Sequence, residues 1–311
     1  MSDRSRLRQH LVRFGPWVLT AIVLAAILRK YPLGEILHAM AEGRAWPLPL
    51  VAMTFAVVHM IVVASWDTLV LHSVLGGPRW VDVARVKSGC AVLQSIGYVL
   101  NQGAYGTWIA RATRSGPRVA VALILFTASS DFAAGALVAT GSVHLAQVRV
   151  PELIRWGAPI GFVLVTALLL APRRVPLPTS GASVLEVFRA VPRGRGALQL
   201  FGRMINVGLI SVAAWAAANA FGLALPLRAA ITYVPLIMLV GSLPVNVFGF
   251  GPVQGMWLLF TPWVSGPRIL AFQILWNLSL ILANVLRGVA FVPRILREVA
   301  EGSAPVSERV L

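Results

Sequence analysis

The residues able to do chemistry in this chain are few, and they lie inside or beside long apolar runs. Asp131 is the only acidic residue well inside such a run, and Ser129 and Ser130 flank it. A charge at membrane depth costs about 3 kcal/mol on insertion scales, so it marks a function or a partner. Asp131 could be the counter-ion of a cationic group, a proton carrier, or one half of an ion pair with Arg203. Arginine grips a phosphate through two parallel hydrogen bonds, and Arg111 and Arg203 are the arginines placed to do so near one membrane face. Asn101, Gln102 and Gly103 in one stretch offer amides and bare backbone in place of water. Asn246, Gly249, Gly251 and Gln254 do the same in another. Asp67, beside Trp66 and toward the inner end of its run, reads as an interfacial anchor. Asn277 and Asn284 read as bridges between packed helices.

Other chemistries are not indicated. The histidines (His10, His38, His59, His72, His144) are scattered without paired spacing, and Cys90 is the single cysteine. That gives no metal site and no intramolecular disulfide. Gly249-Phe250-Gly251 is not a nucleotide fingerprint, because no strand precedes it and the third glycine is misplaced. No nucleophile is paired with a base. The expectation is a protein that is not an enzyme and carries no cofactor or metal.

The elements holding these residues are membrane helices. The chain is 58% hydrophobic and only 12% charged, whereas soluble domains carry about 25% charged residues. The formal net charge of +16 does not imply nucleic acid, because the basic residues flank apolar spans. There they mark the cytoplasmic side and attract anionic headgroups. Spans are expected at about 14–28, 47–71, 118–145, 152–171, 197–224 and 267–292, with a polar connection or short interfacial helix at 31–46.

Two segments, 87–110 and 229–260, are interrupted. Residues 241–255 contain Pro244, Asn246, Gly249, Gly251 and Pro252, which no unbroken membrane helix tolerates; irregular backbone at depth must be buried in protein or line water. Asn101 to Gly106 and Asn246 to Gly251 share the pattern Asn-x-x-x-aromatic-Gly, which predicts corresponding turns near Gly103 and Gly249. If both segments are re-entrant, eighteen of the 27 basic residues fall on the cytoplasmic side and seven outside. If both cross, the arginine-rich 172–196 linker is exported, against the positive-inside tendency. The expected fold is therefore all-α: a polytopic membrane bundle of about six full spans and two re-entrant segments, arranged as an inverted repeat. Residues 1–311 form one transmembrane domain, with halves at about 14–171 and 197–293 joined by the cytoplasmic linker 172–196. Both termini are expected in the cytoplasm.

Four short motifs carry a family likeness. They are Ser65-Trp66-Asp67-Thr68-Leu69, Asn101 to Gly106 with Arg111 and Arg114, Asp131 in its long helix, and Leu243-Pro244 to Gln254. With them the chain resembles the membrane region of lysylphosphatidylglycerol synthases and the stand-alone membrane proteins related to it, over about residues 14–293. The chain departs from that pattern at Gln254, where glutamate is usual, at Thr127-Ala128 in place of Glu-Arg, at Thr107 near an expected acid, and at Trp276-Asn277 where an arginine is common. The chain is expected to lack a cytoplasmic aminoacyl-transferase domain, so the resemblance implies lipid translocation, not lipid synthesis. Expected partners are membrane lipids, either anionic phospholipid or a glycolipid or hopanoid, in a bacterial inner membrane, with a second copy or lipid-synthesis enzymes as protein partners. The alternatives are a non-transporting accessory subunit of a lipid or hopanoid biosynthesis complex and, further off, a membrane-embedded lipid-modifying enzyme.

Overall fold

Apolar runs set the helices of this chain, and proline and glycine set their limits. The computed structural model describes residues 3–94, 98–145, 152–170, 191–242, 250–293 and 297. The helices are α1 Asp3–Lys30, α2 Leu33–Glu42, α3 Leu48–Leu75, α4 Trp80–Gln94, α5 Tyr98–Ala112, α6 Pro117–Leu145 and α7 Glu152–Leu170. They continue with α8 Arg193–Phe221, α9 Leu227–Gly241, α10 Pro252–Trp257 and α11 Gly266–Gly288. Pro32, Pro47, Pro192 and Pro226 stand at the N-caps of α2, α3, α8 and α9, where a missing N–H removes no helical bond. Left-handed Gly222 closes α8 at φ +100°, a conformation that costs glycine little.

Four helical stretches among the described residues are long and apolar enough to cross a membrane: Leu48–Leu75, Pro117–Val143, Arg193–Phe221 and Gly266–Phe291. Trp17–Lys30 and Leu33–Glu42, bent by 78°, count as one more if the pair is a single span. The protein is thus an all-helical bundle with the marks of a membrane protein. The short interfacial helix expected at 31–46 corresponds to α2, which buries Ile36 and Ala39 against the bundle and leaves Leu33 and Leu37 exposed.

Contacts fix the direction of most helices. The Arg44 amide donates to the Phe221 carbonyl (3.1 Å), while further along α3 Asp67 meets Arg203. Hence α3 and α8 run antiparallel. Arg268 donates to the Gly222 carbonyl (3.3 Å), so α11 starts where α8 ends; Gly288 at its other end lies against Ser88 of α4. Ser142 reaches the Ile231 carbonyl (3.4 Å), and Gly135 lies beside Leu239, so α6 and α9 are antiparallel. One end of the bundle, the α4 end, therefore holds the end of α3 and the start of α6 and α8. The other, the α9 end, holds the start of α3 and α11 and the end of α8.

The two interrupted segments are helix hairpins. Lys87 stands over the Tyr105 ring (4.2 Å) and Gln94 accepts from Asn101 (3.0 Å), so α4 and α5 fold back on each other. Gly241 faces Val253 and Tyr233 packs edge-on against Phe260 (5.2 Å), so α9 and the stretch 252–260 also fold back on each other. Both apices lie outside the described residues, as do Asn246, Gly249 and most of the 172–196 linker. The expected turn at Gly103 is not found. Gly103 lies inside α5, because Asn101 satisfies its side chain across the hairpin instead of opening a turn. The Asn-x-x-x-aromatic-Gly echo does not mark equivalent places either. Gly106 is helical, whereas Gly251 is the N-cap of α10 at φ +120°. The pattern repeats residue types, but backbone conformation follows from which groups each segment can bond.

Each hairpin sits in its own apolar cluster. Tyr105, Trp108 and Ile109 of α5 pack with Val83 and Val86 of α4 and with Leu123 and Phe126 of α6. Tyr233 of α9 belongs to a second cluster with Phe260, Phe272 and Phe221, which also holds the alanines Ala52, Ala56, Ala214, Ala217 and Ala218 of α3 and α8, small enough to let those helices approach closely.

Candidate functional site

A charged cluster is buried where α3, α4, α6 and α8 converge at the α4 end. It begins with glycine. A side chain at Gly202 would collide with the indole of Trp66, so the bare backbone of α8 lets Trp66 lie against it. That close approach brings the next residue of each helix, Asp67 and Arg203, into contact. Asp67 is 2% exposed and Arg203 3%, and the Arg203 Nη2 donates to Asp67 Oδ1. Arg203 Nη1 donates to both oxygens of Asp131, at 3.1 and 3.2 Å. The Asp131 side chain is 39% exposed. Lys87 of α4 approaches the second oxygen of Asp67 at 2.5 Å, with Tyr105 beneath its ammonium. Gln199, one turn before Arg203, satisfies its amide when the oxygen is assigned toward Arg203 Nε and Nη2 (2.9 and 3.0 Å) and the nitrogen toward the Trp66 carbonyl (3.1 Å).

The cluster is electrically balanced: two carboxylates face two cations. Taking such charges out of water costs several kcal/mol per ion, which only tight pairing and further hydrogen bonds repay. Asp67 meets both cations, and Arg203 meets both acids and Gln199. Hydroxyls nearby take care of themselves: Thr68, Ser88 and Ser130 each bond the carbonyl one turn back. Beside the cluster a narrow cleft lined by Asp67, Tyr105, Leu123 and Thr127 has room for about one water molecule.

A smaller polar point lies along α3. Arg287 of α11 donates to the Ala56 carbonyl and to Asn284 (3.1 Å), and His59 packs on Phe55 at 5.1 Å. No group of three or more His, Cys, Asp or Glu among the described residues could hold a metal ion.

Of the ten residues singled out from sequence, the structure joins Asp131 and Arg203. Asn101, Gln102 and Gly103 lie on α5, with Asn101 tied to Gln94. Arg111 is in the last turn of α5. Gly251 and Gln254 sit at the start of α10, where the Gly251 amide donates to the Gln254 side chain. There Thr20 of α1 lies against Gly251 and reaches the Phe250 carbonyl (3.4 Å). Gln254 is thus a helix cap, a role an amide fills as well as the glutamate of the resembling family.

Sequence reading missed Asp67, Lys87, Tyr105 and Gln199. Asp67 is not an interfacial anchor but the most deeply buried acid of the cluster. Trp66 beside it suggested an interface, whereas the indole in fact covers Gly202. A signal did exist: Gln199, Arg203 and Asn206 recur at helical spacing on one face of α8, and all three are buried. Compared with known proteins, the chain matches no family model and no curated protein. The likeness to lysylphosphatidylglycerol synthases rests on its short motifs alone.

Proposed function

We propose that this chain is a lipid-translocating membrane protein whose polar headgroup path runs past the Asp67–Lys87–Arg203–Asp131 cluster. That cluster is the observation carrying the reading. Ionisable residues at membrane depth are expensive and mark substrate or ion pathways by default, and these four join the two halves of the chain to the first hairpin.

The architecture supports it. The unit α3, α4–α5, α6 and the unit α8, α9–α10, α11 pair in the same way. As α3 packs on α4 and α5 on α6, so α8 packs on α9 and α10 on α11. Across the units, α11 touches α3 and α4 as α6 touches α8 and α9. The first hairpin starts from the α4 end and the second from the opposite end, as an inverted repeat requires, and transporter sites lie at such repeat junctions. At roughly 22 Å, α4 and α5 are too short for a bilayer core of about 30 Å. We read both hairpins as re-entrant, and α1, α3, α6, α7, α8 and α11 as six crossings. Arg79, Arg114, Arg118, Arg193 and Arg195 gather at the α4 end, which makes that end, and both termini, cytoplasmic by the positive-inside tendency.

Reconstitution tests the reading. Liposomes carrying the protein and a fluorescent anionic phospholipid should lose more signal to an outer-leaflet quencher than protein-free liposomes. Equal loss would refute translocation. One observation favours the accessory-subunit reading: the four charges satisfy one another around a cleft no larger than a water molecule. Copurification with a lipid-synthesis enzyme, without flipping, would select it.

A further inference from the structure

The four charges are not equally fixed. Arg203 has three donor positions in the cluster, and two of them are held by buried groups: Nε by Gln199, and Nη2 by Gln199 and Asp67. Nη1 alone is held by Asp131, whose side chain is 39% exposed against 2% for Asp67. Asp67 also serves Lys87 at 2.5 Å. If Asp131 swings away, the three charges left behind are Asp67, Lys87 and Arg203. They sum to one uncompensated positive charge in a low-dielectric setting, with the Nη1 group of Arg203 released. The Nη1 group, which now donates to both Asp131 oxygens, is a charge-assisted donor for a phosphate oxygen as well.

We propose that Asp67, Lys87 and Arg203 form a built-in anion site and that Asp131 is its resident occupant, displaced when a phosphate group binds Arg203. The carboxylate is then a competitor for the substrate, not a contact to it. It keeps the site neutral and closed when empty. The inference rests on the lipid-path reading only for the carrier of the phosphate, a phospholipid headgroup; the chemistry is the same for a free phosphate ion.

The test uses the full chain in phosphatidylcholine nanodiscs, with a fluorescent short-chain phosphatidylglycerol as probe and inorganic phosphate as competitor. Asp131→Asn keeps the shape and removes the competing charge, so it should bind the probe about tenfold more tightly than wild type. Asp131→Glu, which retains a carboxylate, should stay within about twofold of wild type. Displacement of the probe by inorganic phosphate would assign the site to free anions, and resistance to it would assign the site to headgroups. Unchanged or weaker binding by Asp131→Asn overturns the proposal, whether or not lipid is flipped. Absence of flipping by wild type, with the tightening intact, overturns the transport reading alone. If Asp131→Asn unfolds in phosphatidylcholine, phosphatidylglycerol should raise its melting temperature more than that of wild type, because the lipid replaces the missing carboxylate. Failure to do so also overturns the proposal.

Discussion

At the scale of single residues, the chain shows how burial and pairing decide what a charge is worth. Asp67 and Asp131 share one arginine, yet they should not respond alike to mutation. Asp67→Asn leaves Arg203 and Lys87 facing a single, half-open carboxylate, and breaking a buried pair typically costs about 3–5 kcal/mol. Asp131→Asn leaves Asp67 in place and should cost clearly less. Thermal unfolding in detergent should therefore rank wild type, Asp131→Asn and Asp67→Asn in descending order. The double variant Asp67→Asn with Lys87→Met restores the charge balance and should be more stable than Asp67→Asn alone; further loss on adding Lys87→Met would show that Lys87 does not depend on Asp67. Gly202 is the residue that makes the contact geometrically possible. Gly202→Ala drives a methyl group into the Trp66 indole and should cost about 1–3 kcal/mol by overpacking, read in the same assay. Asp131, Arg203 and their pairing were legible as candidates because charges stand out in an apolar helix. Asp67 was not, because an acid beside tryptophan near a span end has the same sequence signature whether it faces headgroups or the core.

At the scale of elements, the two hairpins separate what periodicity reveals from what it hides. Both were legible as interruptions, since proline, glycine and amides break an apolar run. Their apices were not, because the fold-back point depends on cross-hairpin contacts such as Gln94 with Asn101 and Lys87 with Tyr105. The corrected position of Gly103 makes a sharp prediction. It lies in the interior of α5 with open space around it, so Gly103→Ala should be neutral or stabilising by up to about 1 kcal/mol. A clear loss of stability would mean that the chain turns there after all. Gly251 should behave oppositely. It holds φ +120° against Thr20, and Gly251→Ala should destabilise by about 1–3 kcal/mol through backbone strain, detected as a lower melting temperature. Gln254→Glu keeps an acceptor for the Gly251 amide and should be tolerated better than Gln254→Ala, whose lost cap costs about 1 kcal/mol.

At the scale of the whole molecule, the arrangement of charge along the bundle predicts its orientation. With Cys90 replaced by alanine, single cysteines at Gly116 and Ser265 sit at the α4 and α9 ends respectively. An impermeant thiol reagent added to intact cells should label the cysteine at position 265 and spare the one at 116. Labelling at 116 would reverse or dismantle the proposed topology. The two ends also differ in kind. The α9 end is closed by alanines and aromatic rings, whereas the α4 end adds ion pairs to its own apolar and aromatic packing. A path that opens by parting the halves should therefore open at the α4 end in response to charge, which is where the four-residue cluster lies.

The sequence by itself determined that this chain is a bundle of apolar helices, where most of those helices begin and end, and which two segments could not run straight. Those properties are local, because a run of apolar residues, a proline at an N-cap or a left-handed glycine acts within a few positions of itself. Only the tertiary structure decided which charges meet. Arg203 finds Asp67 at a separation of 136 residues and Asp131 at 72. Helical spacing marks the buried face of α8 but carries no information about the helix it will face. Partner choice came from packing instead. A glycine too small to hold Trp66 away sets the distance between α3 and α8, and once that distance is set, unpaired charge inside the bundle is too costly to leave any of the four without a partner.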